Sequence, residues 1–189
     1  TFLLDQEHQP GDGPEHAHLN RLLAQVEVYG LDGSEHEIRP YRGEETEYDL
    51  DVLETLPDGT PRAFVGVSMT RKRHLERTGD ERIEEVSYEY DEDGNVVREV
   101  SRGYGTLDGA PAAEKRVTTE VEYASNPDRG ISGVVTRVVK RDAEGAILAE
   151  ERRYYDGDGG GEESGLPLGE ADRGLLAREE RLVLPREAF

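Results

Sequence analysis

Between Ile83 and Gly105 the chain reads IEEVSYEYDEDGNVVREVSRGYG, and this stretch restricts the possible fold more than any other. Val86, Tyr88 and Tyr90 alternate with polar residues. Beyond Asp91-Glu92-Asp93-Gly94-Asn95, the residues Val96, Val100 and Tyr104 return to an every-second-residue spacing. A period of two places those side chains on one face of a strand. Gly94 and Asn95 both tolerate the positive φ that a tight turn demands. The stretch therefore predicts an antiparallel hairpin.

The same alternation, punctuated by turn residues, recurs on both sides. Thr1 to Asp12 is polar and reads as a flexible lead-in, so residues 1–13 are set apart from a single β-sheet domain over 14–189. Pro14 to Asn20 fits a short helix with Pro14 in its first turn. Arg21 to Gly30 is a predicted strand with Leu22, Ala24, Val26 and Val28 on one face, and Asp32-Gly33 turns the chain. Glu35–Arg39 and Glu44–Leu53 read as strand interrupted by Pro40, the mark of an edge or bulge. Pro57-Asp58-Gly59 is a turn signal. In Arg62–Leu75, Ala63, Val65, Val67 and Met69 are expected to face together.

After a Gly/Ala/Pro loop, Val117, Thr119, Val121 and Tyr123 alternate again. Ser132–Lys140 carries Val134, Val135, Val138 and Val139, apolar on both faces and so the strand expected to be most buried. Asp142-Ala143-Glu144-Gly145 turns into Ala146–Tyr155. Glu170–Leu184 fits a helix nearly as well as a strand. The turn glycines Gly33, Gly59, Gly94 and Gly145 keep no fixed period, so any repeat is degenerate. The fold class that follows is mainly β: an extended, curved antiparallel sheet of hairpins with little helix.

Leu, Ile, Val and Phe make up about a fifth of the 189 residues, close to the roughly 20% mark below which chains tend to stay disordered. The core should therefore be thin, as in a sheet with water along much of one face. Forty-three acidic residues against 23 basic ones give a formal charge of −20. Such a surface repels phosphate backbones and anionic lipids, which argues against nucleic-acid or membrane-surface binding. Cysteine is absent, so disulfides and thiol chemistry are excluded. No apolar run approaches the ~18 residues of a membrane helix. The chain starts at Thr1, and a segment of a larger protein is the expectation.

Chemistry-bearing motifs are sparse. His16-Ala17-His18 with His8 lacks the partners that complete a metal site. Asp91-Glu92-Asp93-Gly94-Asn95 is not a calcium loop, because its glycine comes fourth and no glutamate stands twelfth. The acidic glycine loop after Tyr155 is the best metal candidate: Asp156, Asp158, Glu162 and Glu163 on flexible backbone are suited to gather Ca²⁺. A solvated loop is the simpler reading in so acidic a chain. Ser68 lacks the glycines of a nucleophile elbow, and no phosphate-cradling loop is present. No catalytic residue or cofactor is expected, and Gly33, Gly59, Gly94, Asn95 and Gly145 are assigned to structural turns.

Tyr88-x-Tyr90-Asp91-x-x-Gly94-Asn95-Val96, with Gly103 following, resembles one unit of the YD (Rhs) repeat, which builds β-sheet shells in bacterial toxins and cell-surface proteins. Val28-Tyr29-Gly30-Leu31-Asp32-Gly33-Ser34, Tyr154-Tyr155-Asp156-Gly157, Gly165-Leu166-Pro167-Leu168-Gly169 and Arg173-Gly174-Leu175-Leu176 flank it. In that order, from about His18 to Leu184, they resemble the middle region of the B component of insecticidal toxin complexes (Tc toxins). The resemblance implies strand over the ambiguous Glu170–Leu184 and a secreted complex. It also implies a non-catalytic role in the wall of a hollow shell built with the C component around a cytotoxic effector. The competing expectation is a YD-type surface module that binds carbohydrate or protein. As outermost strands of an excised sheet, Arg21–Gly30 and Leu175–Leu184 would present unpaired backbone groups and promote weak self-association.

Overall fold

The computed structural model describes residues 2–8, 19, 22–31, 33, 38–75, 82–103, 115–157 and 165–183. Ten strands follow one another among them: β1 (Phe2–His8), β2 (Leu23–Gly30), β3 (Pro40–Thr55), β4 (Pro61–His74), β5 (Arg82–Tyr90), β6 (Val96–Arg102), β7 (Arg116–Asn126), β8 (Ile131–Arg141), β9 (Ile147–Tyr155) and β10 (Leu176–Val183). A three-residue 3-10 turn, Pro127–Arg129, joins β7 to β8. The expected antiparallel architecture is what forms, and the ambiguous C-terminal segment is strand. The predicted helix over 14–20 falls, apart from Leu19, outside the described residues.

The chain divides into two compact units. The first comprises Thr1–Tyr88 and Ser101–Lys115, the second Glu89–Val100 and Arg116–Phe189.

In the first unit β1 to β5 form an antiparallel meander, each strand paired with the next. Within the supposed lead-in Phe2–His8 is strand: β1 runs antiparallel to β2 from Phe2↔Gly30 to His8↔Leu23. Its sequence shows no period of two, yet its backbone groups find partners along β2, which is what a strand requires. β2 thus lies between β1 and β3, not outermost as expected of Arg21–Gly30. Pro40 begins β3 instead of interrupting it; the first position is where a strand can do without an N–H.

Along the β3–β4 ladder Glu47 stands opposite Met69 and Tyr48 opposite Val67. Ser68 is therefore the extra residue of a β-bulge. The bulge reverses the faces, so Met69 does not share one with Val67, Val65 and Ala63. It lies instead beside Arg71, whose Nη2 approaches its sulfur at 3.8 Å.

In the second unit β7, β8, β9 and β10 are likewise consecutive antiparallel neighbours. A second bulge sits at Thr136, since Glu122 faces Arg137 while Tyr123 faces Val135. Thr136 is only 1% exposed, and its hydroxyl donates to the Glu122 carbonyl at 3.1 Å. β8 supplies two of the most deeply buried described residues, Thr136 and Val139.

The core is thin. Among the described residues the buried apolar side chains are Ile83 in the first unit and Val100, Ala124, Val139, Tyr155 and Ala171 in the second. Each fully buried large side chain contributes about 1.5–3 kcal/mol, so so few of them leave much cohesion to polar groups. Two glutamates are also buried, Glu85 and Glu150, and each is held by two arginines. Glu85 meets Arg71 at 3.0 Å and Arg102 at 2.5 Å, and Arg71 and Arg73 both reach Glu45. Glu150 meets Arg137 and Arg152, each at 2.8 Å, and Arg137 continues to Glu122. Buried carboxylates persist when paired and hydrogen-bonded, and here the pairs tie three or more strands together within each unit.

Candidate functional site

Three hairpin turns share one backbone scheme. In 91–95 the Asp91 N–H donates to the Asn95 carbonyl at 2.9 Å and the Gly94 N–H to the Asp91 carbonyl at 3.1 Å. In 142–146 Asp142 and Ala146 repeat the first bond at 3.0 Å, and Gly145 and Asp142 the second at 3.2 Å. Leu56, Gly59 and Thr60 do the same, both bonds at 2.9 Å. The glycines Gly94, Gly145 and Gly59 have φ of 82°, 89° and 85°, a left-handed conformation open to a residue without Cβ. This is the three-residue hairpin loop with a type I turn and a glycine bulge.

The aspartate that opens two of these turns satisfies further donors. Asp91 Oδ1 accepts the N–H groups of Asp93 (3.0 Å) and Asn95 (2.8 Å). Asp142 Oδ1 accepts those of Glu144 (3.1 Å) and Ala146 (2.8 Å). In the third turn Leu56 occupies that place and Asp58 takes over, accepting the Thr60 N–H at 2.9 Å. Burial pushes the Asp91 carboxyl up, but the Asn95 amide and the turn N–H groups outweigh it and leave it below its ordinary value.

Asn95 plays a different part from the one expected. Gly94 takes the positive φ and Asn95 does not. Its amide nitrogen donates to Asp91 Oδ2 at 3.0 Å, while its Oδ1 lies against Gly133 on β8. The Tyr123 hydroxyl donates to the Val96 carbonyl at 2.8 Å, and burial followed by the Asp91 charge raises its pKa. The YD-type turn is thereby fastened to β7 and β8 by one backbone carbonyl and one close approach.

A second fastening centres on Tyr155-Asp156. Asp156 has a φ of 58°, uncommon for a residue with a side chain, and its side chain is 3% exposed. Its Oδ2 accepts the N–H groups of Asp172 (2.6 Å), Arg173 (2.8 Å) and Gly174 (3.1 Å), and its Oδ1 that of Leu175 (3.0 Å). Burial would raise its pKa, yet the four N–H donors prevail and bring it down to about 2, as several backbone donors on one carboxylate do. Its own N–H donates to the Leu175 carbonyl at 2.8 Å.

Around it the Tyr155 hydroxyl donates to the Val135 carbonyl at 2.7 Å, and the Leu166 N–H donates to the Tyr155 carbonyl at 2.7 Å. Asn126 Nδ2 donates to the Ala171 carbonyl at 3.0 Å. Ala124, Tyr155 and Ala171 pack together with Ile131 and Val134 against them. The motifs at 154–157, 165–169 and 173–176, scattered in sequence, thus converge on one structural lock.

Asp156, one of the residues suggested for Ca²⁺, has both carboxylate oxygens engaged by backbone donors. Asp158, Glu162 and Glu163 lie outside the described residues. Among the described residues no group of three or more His, Asp or Glu side chains is placed to hold a metal ion. Gly33 has a φ of 77°. Apart from Arg152, two residues from Glu150 on the same strand, the partners of Glu85, Glu150 and Asp156 lie 13 or more residues away and carry no local sequence signal.

No family model matches the sequence, and no curated protein matches it. Solved structures do. The crystal structure of TcdB2–TccC3–Cdc42 aligns over 94% of this chain with a TM-score of 0.73 and 16% identity. The fold is one that Tc toxin complexes contain. TcdB2–TccC3 without its hypervariable C-terminal region aligns over 88% of the chain at a TM-score of 0.70 and 18% identity. The Photorhabdus luminescens Tc holotoxin pore aligns over 92% at 0.67 and 17%. This chain spans about a tenth of those chains: 11%, 10% and 10% respectively. At such identity the likeness is one of fold.

Proposed function

We propose that this chain is a non-catalytic structural segment of a toxin-complex B component, supplying β-sheet wall to a hollow Rhs/YD-repeat shell that encloses a cytotoxic effector. The observation that carries this reading is the alignment of 94% of the chain with the TcdB2–TccC3–Cdc42 structure at a TM-score of 0.73. The physical character of the chain supports it. A wall one sheet thick has little interior, so it needs cohesion within the sheet. Buried glutamates paired with arginines on neighbouring strands, Glu85 with Arg71 and Arg102 and Glu150 with Arg137, supply that cohesion. The remainder of the shell and a C component would then be its partners, in a secreted toxin complex.

The test is to produce the full-length protein that carries this sequence together with its C-type partner and to image the particles by electron microscopy. A closed hollow particle that shields its cargo from added protease is expected. An open particle, or cargo digested at the rate of free effector, would overturn the wall assignment. Binding of the isolated chain to a glycan array would instead favour the surface-module reading.

A further inference from the structure

In the first unit the ladders of β3, β4 and β5 set Arg42 opposite His74 and His74 opposite Arg82. Two residues along, Glu44 stands opposite Lys72 and Lys72 opposite Glu84. Residues directly opposite, and residues two apart on one strand, share a face. These side chains therefore form two adjoining rows of three on one face, with no register shift among them. Between the rows Gly43, Arg73 and Ile83 point to the other side, where Gly43 and Ile83 are buried. The two rows lie on the wetter face: Arg42, Lys72 and Arg82 are all exposed.

Charge alternates over this face with one interruption. Lys72 has an acid on either side, and Glu44 and Glu84 each have an arginine two residues away on their own strand. Unbroken alternation would set an acid between Arg42 and Arg82, and His74 stands there instead. Its position is bordered by Arg42 and Arg82 across the ladders and by Lys72 along β4. Arg42 gives one nitrogen to Glu44 at 3.0 Å, and its guanidinium keeps further N–H groups in a fork suited to oxyanions. Among the described residues neither Lys72 nor Arg82 has an ion-pair partner. His74 has a contact of its own, and its ring is not needed as a ligand.

We propose that this face binds a phosphate group, a dianionic oxyanion seated above β4 between the guanidiniums of Arg42 and Arg82 and the ammonium of Lys72. Side chains directly opposite have Cβ atoms about 4.5–5.5 Å apart, so both arginines are long enough to meet over the middle strand. Hydrogen bonds from cationic donors to an oxyanion are short and strong. A tetrahedral group offers separate oxygens to three donors, which a planar carboxylate with two oxygens does not. The formal charge of −20 repels polyanions, so the face selects a single small group over a nucleic acid. In about 0.15 M salt the Debye length is about 8 Å, and a small anion there meets chiefly the local charges.

An amide NMR titration of the 189-residue chain tests it at about pH 7.5, where phosphate esters are dianionic. Ionic strength is held at about 0.15 M with chloride. Inorganic phosphate should shift the amides of residues 42, 72–74 and 82–84 saturably. The dissociation constant should be on the order of a millimolar, since exposed charge pairs are individually weak. Arg82→Gln should weaken binding about tenfold, as the loss of a charged hydrogen bond does. Glu84→Gln should tighten it, because it removes the acid beside Lys72 and Arg82; a mere loss of structure would not. O-phosphoserine in a parallel titration tells the esterified group from the free ion, and shifts with only one of them assign the site to that form. Shifts with neither, shifts that never saturate, or both variants titrating like wild type would overturn the proposal.

Discussion

The side-chain oxygen of Asn95 stands 2.5 Å from the point where a Cβ would lie on Gly133. The turn that most resembles a YD unit is thus seated on a strand whose glycine has no room for a methyl group.

Gly133→Ala should therefore be costly twice over. Gly133 has a φ of 76°, where a side chain costs about 1–2 kcal/mol, and the new methyl group would displace Asn95 from its place. A loss of about 2–3 kcal/mol is expected, which lowers the melting midpoint by roughly 4–12 °C for a chain of this size. Gly130→Ala is the control: its φ is 65° with nothing within 4 Å of the added Cβ, so only the backbone strain of about 1–2 kcal/mol applies. Equal melting midpoints for the two variants would mean that Asn95 yields freely.

Asp156 predicts a pH dependence with a definite sign. Its folded pKa of about 2 lies below the ordinary 3.8, so the unfolded chain binds the proton more readily. The stabilisation is fully present above pH 4 and is lost progressively as pH falls towards 2. Asp156→Asn removes the charge that faces four N–H groups. The variant should melt lower at pH 7, and its stability should change less between pH 4 and pH 2 than that of the wild type. Hydrogen exchange should locate the damage in the amides of residues 172–175. Unchanged protection there would show that the lock holds without the carboxylate.

The buried glutamates give a third expectation. Glu150 is held by Arg152 and Arg137, whose hydrogen bonds lower its pKa below the ordinary 4.5 against the effect of burial. Glu150→Ala leaves both guanidinium groups without this partner. Both arginines are partly exposed, so water limits the penalty to about 1–2 kcal/mol, less than the 3–5 kcal/mol of a fully buried broken pair. Glu150→Gln keeps the shape and loses the charge, and should fall between Glu150→Ala and wild type in urea titrations. A Gln variant as stable as wild type would reduce the clamp to shape alone.

The hairpin of β5 and β6 was legible because its alternation and its turn residues are local and agree with each other. Register was not. The bulges at Ser68 and Thr136 exist only in relation to the opposite strand, so no pattern within Arg62–Leu75 could separate Met69 from Val67. β1 escaped notice because its strand character comes from the partner it finds in β2, and Phe2-Leu3-Leu4-Asp5 does not alternate. The lock was half visible: the motifs at 154–157, 165–169 and 173–176 stood out singly, while their meeting depends on an aspartate reaching 16 to 19 residues along the chain. Asn95 was picked out for its backbone, and its side chain turned out to matter more.

Salt sets two electrostatic effects against each other. A formal charge of −20 makes the folded chain repel itself at low ionic strength, while added salt also weakens ion pairs such as Arg62–Glu54 and Arg98–Glu89, which are exposed on both sides. Exposed pairs contribute only about 0–1 kcal/mol each. The pairs that matter more, around Glu85 and Glu150, are partly buried and so less screened. Repulsion should therefore dominate, and the melting midpoint should rise between low salt and about 1 M NaCl, where the Debye length is about 3 Å. The Glu150→Ala variant should rise in parallel with wild type, since its loss is one that salt screens little. A midpoint that falls as salt is added would place the ion pairs, and not the net charge, in control of stability.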